Sequence, residues 1–331
     1  MDLLLLLEWV IKSVVIITIV LGGFAYTTLF ERRVLARMQT RIGPNRAGPW
    51  GLLQPVADGI KLLFKEELVP NKADKILFNL APIITVVPAL ILLAVIPMGP
   101  DILGMGLGLA DGINVGILYI MAIASIAVYG IVIAGWASNN KYALLGGMRA
   151  TAQMVSYELT LGLSFIGPVL IANSLSLREI VLAQKSIWFL IYQPIGFLLF
   201  LLASIAEVNR APFDMAEAEQ ELVAGYHVEY SGMKFALFFM AEYGKMIVIS
   251  FIGATLFLGG YWGPFVDKVP LLGPVYLFLK VGVMLYFLVW LRATFPRIRY
   301  DRLMAFGWKI MLPVALLNVV ITAVIKVLVG G

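Results

Sequence analysis

Long apolar runs alternate along this chain with shorter polar segments, and the runs lack the two-residue alternation of a half-buried strand. Eight of them approach or exceed the roughly 20 apolar residues that cross a bilayer's hydrocarbon core. They are Leu3–Phe30, Ile76–Met98, Ile113–Ala137, Ala152–Ala172, Ile187–Ala206, Phe235–Gly259, Leu271–Leu291 and Ile310–Val329. In lipid every backbone polar group needs an internal partner, and barrel strands are only ~10 residues long, so these runs read as helices. The pattern predicts an all-α membrane protein with eight transmembrane helices. No internal repeat, low-complexity tract or linker interrupts it, so residues 1–331 are expected to form a single multi-pass membrane domain. Met1 and Asp2 lack the positive flank of a cleavable signal, and the first run is too long for one.

The polar segments set the orientation. Of the 25 Lys and Arg residues, 18 fall in residues 31–75, 138–151, 207–234 and 292–309, whereas the opposite connections hold Arg178, Lys185 and Lys268. The crowded side is expected to be cytoplasmic. With eight spans, both termini then lie on the outer (periplasmic) side. The first of these segments holds a further element, Gln54–Lys65. Pro55 suits a first helical turn. Val56, Ile60, Leu63 and Phe64 share one face, and Asp58, Lys61 and Lys65 take another. This predicts a cytoplasmic-side amphipathic helix in the membrane interface. Two roles fit it: a positively charged anchor on lipid headgroups, or a doorway through which an amphipathic lipid reaches a cavity.

Composition narrows the function. The chain is 61% hydrophobic and 14% charged, against about half and about a quarter in an ordinary globular domain. This excludes a soluble enzyme and a disordered chain. The net charge of +5 arises from loops between apolar runs, so it does not point to nucleic acid. The absence of Cys leaves no thiolate for an iron–sulfur cluster, and the single His, His227, cannot form an imidazole pair for haem. Electron transfer, if any, belongs on a partner, and no cofactor or metal is expected here. His227, in a polar loop, reads as a surface residue without a role.

Acidic residues carry the candidate chemistry. Residues 207–232 hold Glu207, Asp214, Glu217, Glu219, Glu221 and Glu229 against Arg210. Asp214 and Glu217 have capping-box spacing and Gly225 is a plausible stop, which predicts a short helix over 215–224. Capping uses two of the six acids, and Glu217 and Glu221 would repel at i, i+4. Crowding and burial raise the pKa of carboxyl groups, which fits them to hold and pass protons. Inside the runs stand Glu158, Glu242, Lys245 and Lys280. A central charge costs roughly 2.5–3.5 kcal/mol on insertion scales, and such residues mark ion paths. Lys280 has a second reading, as the neutralising partner of a nearby carboxylate. Glu8 with Lys12, and Lys326, read as groups that snorkel outward. These features leave a proton-coupled secondary transporter, a structural membrane anchor, or a membrane subunit of a redox-driven proton-translocating complex. The lack of an inverted repeat favours the last.

Four stretches sharpen the choice: ERRVLARMQTRIGPNRAGPWGLLQPVADGIKLLFKEE (Glu31–Glu67), AEVNRAPFDMAEAEQELVAGYHVEY (Ala206–Tyr230), LFFMAEY (Leu237–Tyr243) and LRATFPRIRYDRLMAFGWKIMLP (Leu291–Pro313). In order and over nearly the whole chain, they resemble the H-subunit (subunit 1) family of the proton-pumping NADH–quinone oxidoreductase, respiratory complex I. The resemblance implies a subunit between the membrane and peripheral arms, forming most of a quinone tunnel and the start of a proton path. On that path it places Glu31, Glu158, Glu207, Asp214, Glu217, Glu219, Glu221, Glu229 and Glu242. It assigns Arg32, Asp58 and Arg292 to the quinone tunnel, and makes Arg210 the basic residue of the acidic loop, also on the quinone side. Quinone would be the substrate, with FMN and iron–sulfur clusters on partner subunits. Peripheral-arm subunits would dock on the cytoplasmic face, and small membrane subunits and antiporter-like subunits laterally. A prokaryotic plasma (inner) membrane is the expected location, with a mitochondrial or thylakoid membrane as the lesser alternative. The equivalent subunit of a membrane-bound hydrogenase or of a photosynthetic ferredoxin–quinone complex keeps similar stretches.

Overall fold

Backbone groups confined to apolar runs close their hydrogen bonds locally, and the chain accordingly folds as helices. The computed structural model describes residues 3–100, 107–110, 112–214 and 223–330, and no strand occurs among them. The long helices are α1 (Leu3–Met38), α3 (Lys75–Ile91), α4 (Gly116–Ala137), α5 (Lys141–Ala172), α9 (Gly232–Phe257), α10 (Leu272–Thr294) and α12 (Leu312–Gly330). A short 3-10 segment extends α3, and a π-helical turn, Gly307–Met311, joins α12 to α11 (Tyr300–Phe306). Among the described residues, seven helices, counted with these extensions, are long and apolar enough to cross a membrane. The shorter elements are α2 (Gln54–Leu63), α6 (Leu177–Ala183), α7 (Phe189–Tyr192) and α8 (Pro194–Glu207).

The eighth expected span, Ile187–Ala206, is divided instead. α7 is one turn, Gln193 leaves the helical conformation, and α8 runs for 14 residues. At 1.5 Å per residue α8 is about 21 Å long, short of the ~30 Å hydrocarbon core. Pro194 causes the break, because proline has no N–H and keeps the preceding residue out of the α region. The polar side chain exposed there is claimed by α12. Asn318 Nδ2 donates to Gln193 Oε1 (3.0 Å), and Gln193 Nε2 donates to Thr322 Oγ1 (2.6 Å). Broken helices are tolerated in membranes where a neighbour re-satisfies the freed groups.

Helices α5 and α9 organise the rest: α5 packs against α4, α8 and α12, and α9 against α1, α3 and α10. Small residues let the backbones approach. A methyl group at Gly130 of α4 would lie 2.1 Å from Thr85 Oγ1 and 2.9 Å from Thr85 N of α3. Since the second clash is with backbone, a rotamer change cannot relieve it. Gly130→Ala is expected to destabilise the α3–α4 pair by about 1–3 kcal/mol, the usual cost of overpacking. A lowered thermal midpoint of the detergent-solubilised protein checks this; an unchanged midpoint refutes it.

Two boundaries differ from expectation in a way that bears on function. α1 continues past Phe30 to Met38, so Glu31 and Arg32 stand on a helix and not in a loop. α5 begins at Lys141, capped by Asn140, whose side chain accepts from Tyr142 N (2.9 Å). α2 forms as expected and lies against α1 and α9, with Val56, Ile60, Leu63 and Phe64 all exposed. Most of the expected 215–224 helix lies outside the described residues, and Glu217, Glu219 and Glu221 with it.

Candidate functional site

α1, α2 and α9 enclose the larger of two features that together make up the site. It is a cavity of about 360 Å³ walled by Leu21, Phe24, Leu62, Phe235, Phe239 and Met240, with Arg32, Asp58 and Lys61 among its lining residues. Arg32 Nη1 donates to Asp58 Oδ2 (2.8 Å), and Gln54 Nε2 to Asp58 Oδ1 (3.0 Å). An apolar chamber with a few convergent polar groups is the usual form of a small-ligand site. The amphipathic α2 helix stands on one side of it, with half-exposed charges at the rim.

The second feature lies behind Tyr243, which also lines the cavity. The Arg210 guanidinium stacks on the Tyr243 ring, 4.4 Å from its centroid. Arg210 Nη1 donates to both carboxylate oxygens of Glu31 (3.0 and 3.1 Å), and Arg210 Nε pairs with Glu242. Arg292 pairs with the same Glu31 carboxylate. Glu31 and Arg210 are 2% and 7% exposed, so these charges are held inside the protein. Buried ions persist only when paired and hydrogen-bonded. Each helix supplies one member: α1 gives Glu31, α9 gives Glu242 and α10 gives Arg292, with Arg210 from the turn after α8.

One turn beyond Glu242 on α9 is Lys245, whose Nζ stands 3.8 Å from Glu207 Oε1. Glu158 accepts a hydrogen bond from Ser125 Oγ and shares a small apolar cavity with Glu207 and Lys245. A second small cavity joins Lys245 to Glu242, Asn209 and Thr85. Acids separated by as many as 211 positions in sequence, Glu31 to Glu242, thus form a series, Glu31, Glu242, Glu207 and Glu158, the first and third buried and the others partly buried, threaded by Arg210 and Lys245. Asp214 lies close enough to act electrostatically on Glu242.

The remaining expected residues fall in several places, and the readings of His227 and Lys280 are revised. Arg210 and Arg292 do not line the 360 Å³ cavity; they serve as counter-ions of Glu31. Glu229 accepts from Asn140 Nδ2 (2.6 Å) and faces a separate open cleft at the start of α5. Among the described residues Lys280 pairs with no carboxylate: its ammonium donates to Gly260 O (2.8 Å) and Trp262 O (2.6 Å) and lies over the Trp188 ring. It therefore fixes the α9–α10 connection. His227 is buried, 6% exposed, against Tyr226, Phe235 and Phe239. Burial pushes its imidazole down to about 4, so it is neutral near pH 7. Of the outward-snorkelling groups, Lys12 pairs with Glu8 (2.5 Å), while Lys326 is tied to Leu170 O and Asn173 at the end of α5. Sequence reasoning left Tyr243, Ser125 and Asn209 without a role. Only Tyr243, next to Glu242 in LFFMAEY, carried a visible signal.

Comparison with known proteins gives the family of the chain. The family described as NADH dehydrogenase matches residues 11–323. A Thermomicrobium roseum protein, by name the H subunit of an NADH-quinone oxidoreductase, is 51% identical over 325 residues, covering 94% of each chain. The second of the H subunits named for the Geobacter metallireducens enzyme is 50% identical over 331 residues, covering 96% of this chain and 94% of its own. The H subunit of the Anoxybacillus flavithermus enzyme is 51% identical over 313 residues, covering 94% and 92%. With matches of this length and identity, the chain belongs to the NADH dehydrogenase family, alongside relatives named as the H subunit of NADH-quinone oxidoreductase.

Proposed function

We propose that this chain, a membrane subunit of an NADH-quinone oxidoreductase, receives quinone in the cavity between α1, α2 and α9 and passes the resulting change of charge into the carboxylate series. One observation carries the reading: Tyr243 faces the 360 Å³ cavity while its ring bears the Arg210 cation that holds Glu31 and Glu242. A charge that appears in the cavity therefore acts across a single side chain on a cluster of low-dielectric ion pairs, where electrostatic effects are strong. Arg32 and Asp58 orient the polar head of the quinone near the rim, and the apolar wall takes its tail. Glu242, Glu207 and Glu158, with Asp214, Glu217, Glu219 and Glu221 of the acidic loop, relay protonation toward lateral partners.

The Lys and Arg distribution supports a cytoplasmic position for the charged loops. The divided segment around Gln193 completes an eighth crossing together with its neighbours, so that both termini lie outside. Peripheral-arm subunits carrying FMN and iron–sulfur clusters dock on the cytoplasmic face, and small and antiporter-like membrane subunits pack laterally in a prokaryotic plasma membrane. The names of the relatives favour this reading over a hydrogenase or a ferredoxin-linked complex.

Ala236 lines the cavity from α9 and is 9% exposed. Ala236→Trp fills the chamber, and quinone reduction is expected to fall by about tenfold or more, equivalent to losing at least ~1.4 kcal/mol of binding. NADH oxidation with an artificial hydrophilic acceptor should remain at its normal rate. Unchanged quinone reduction in the assembled variant overturns the assignment of the cavity.

A further inference from the structure

The chamber beside Lys245 does not balance its charges. Among the described residues it is lined by two carboxylates, Glu158 and Glu207, and by one cation, Lys245. The remaining lining is hydrocarbon, including Leu92, Ile120, Leu161, Phe165, Phe200 and Ile252. The cavity volume of about 40 Å³ admits no more than about three or four waters, because each needs roughly 10–15 Å³ by this measure. So little water cannot solvate an excess charge, and an unpaired buried ion neutralises itself by taking up or releasing a proton. Lys245 contacts Glu207 at 3.8 Å and Met154 Sδ at 3.9 Å. The charged groups facing it are Glu207 from α8, Glu158 from α5 and Glu242 from α9 itself, and Glu242 is already engaged by Arg210.

We infer that Lys245 is a positioning residue whose ammonium, while it stays charged, keeps Glu158 and Glu207 sharing a single exchangeable proton. Two carboxylates, one ammonium and one proton sum to zero charge. The proton can sit on either carboxylate, with the ammonium pairing the other. Movement of the proton from one to the other breaks one O–H bond, forms one O–H bond and needs no further reactant. The second small cavity, of about 20 Å³, is lined by the same Lys245 together with Glu242 and Asn209. It has room for one water, with the otherwise unpartnered Asn209 Oδ1 as a ready acceptor. Lys245 therefore stands between the pair and Glu242, where a charge change at Glu242 alters which carboxylate the ammonium prefers.

This inference deepens the relay proposed above and rests on it. It is tested in the purified whole complex reconstituted in liposomes, with ubiquinone as substrate, by proton pumping and by infrared difference spectra of protonated carboxyl groups between the oxidised and reduced complex. Lys245→Met leaves two carboxylates without their cation, so both stay protonated and neither releases. Pumping per quinone reduced is expected to fall by about tenfold or more, because releasing either proton would create a strongly unfavourable uncompensated buried charge. Lys245→Arg restores pumping, since a permanent cation suffices. Glu158→Gln leaves Glu207 matched by Lys245 with no proton to share, and the carboxyl signal of the pair disappears.

Normal pumping in Lys245→Met overturns the inference, and so does an Arg variant as defective as Met. Should Lys245→Met fail to assemble, Glu158→Gln decides: a carboxyl signal unchanged from the wild type refutes the shared proton. Glu242→Gln separates this inference from the relay itself. If the relay is wrong, Glu242→Gln pumps normally. If only the present inference is wrong, Glu242→Gln is defective while Lys245→Met is not.

Discussion

Replacing Arg210 with Met is expected to deplete the assembled complex from the membrane. Arg210 is the centre of the ion cluster, donating to both oxygens of Glu31 and pairing with Glu242 while stacked on Tyr243. A methionine fills much of the same volume but leaves Glu242 without its counter-ion and Glu31 with Arg292 alone. Breaking one partner out of a buried pair costs about 3–5 kcal/mol, a large share of the roughly 5–15 kcal/mol that holds a typical fold together. Arg210→Lys should be milder but still defective. An ammonium keeps the charge, yet it lacks the planar fork that serves two carboxylates and an aromatic ring at once. Subunit content on native gels, followed by quinone reduction in the surviving fraction, measures both variants. Wild-type amounts of active Arg210→Met complex would show that the cluster does not hold these helices together.

The second large effect concerns function and spares assembly. Glu242→Gln and Glu158→Gln keep shape and hydrogen-bonding capacity while removing the ability to carry a proton. A positioned proton-transfer group contributes about 10²–10⁴-fold to the rate it serves, so coupled turnover should drop by about a hundredfold in either variant. Electron input from NADH to artificial acceptors should be untouched. Pumping and coupled quinone reduction should fall together, because both depend on the same series of carboxylates. If both activities persist at wild-type level in a normally assembled variant, the carboxylates are structural and the relay is not.

The sequence made some of these features legible and hid others, for identifiable reasons. Seven long spans could be bounded to within a few residues at one end, because lipid imposes length and apolarity together. Gln54–Lys65 was equally plain, since its apolar positions repeat at helical spacing. Glu31 was misplaced in a loop because charge ends a hydropathy run without ending a helix, and α1 continues beyond it. The division at Gln193 was missed although Pro194 signals it, because the surrounding run is apolar enough to span unbroken. Within the site, carboxylates in apolar surroundings announced themselves by their cost. Their partners did not: Ser125 resembles any serine bonded to its own helix, and nothing in the spacing tied Arg292 to Glu31 across 261 positions. His227 was misjudged because a polar loop was equated with an exposed one, whereas that loop folds inward onto aromatic rings.

The tie between Gln193 and the final helix also orders how the protein can be made. A ribosome delivers the proline-broken segment early, and the amide that completes it, Asn318, emerges 125 residues later. Until then the segment is too short to span the hydrocarbon core by itself, and its carboxamide lacks this partner. Maturation of the middle of the chain thus waits on synthesis of its tail, and a nonsense codon shortly before Asn318 would strand a segment more than a hundred residues upstream as a target for membrane proteases.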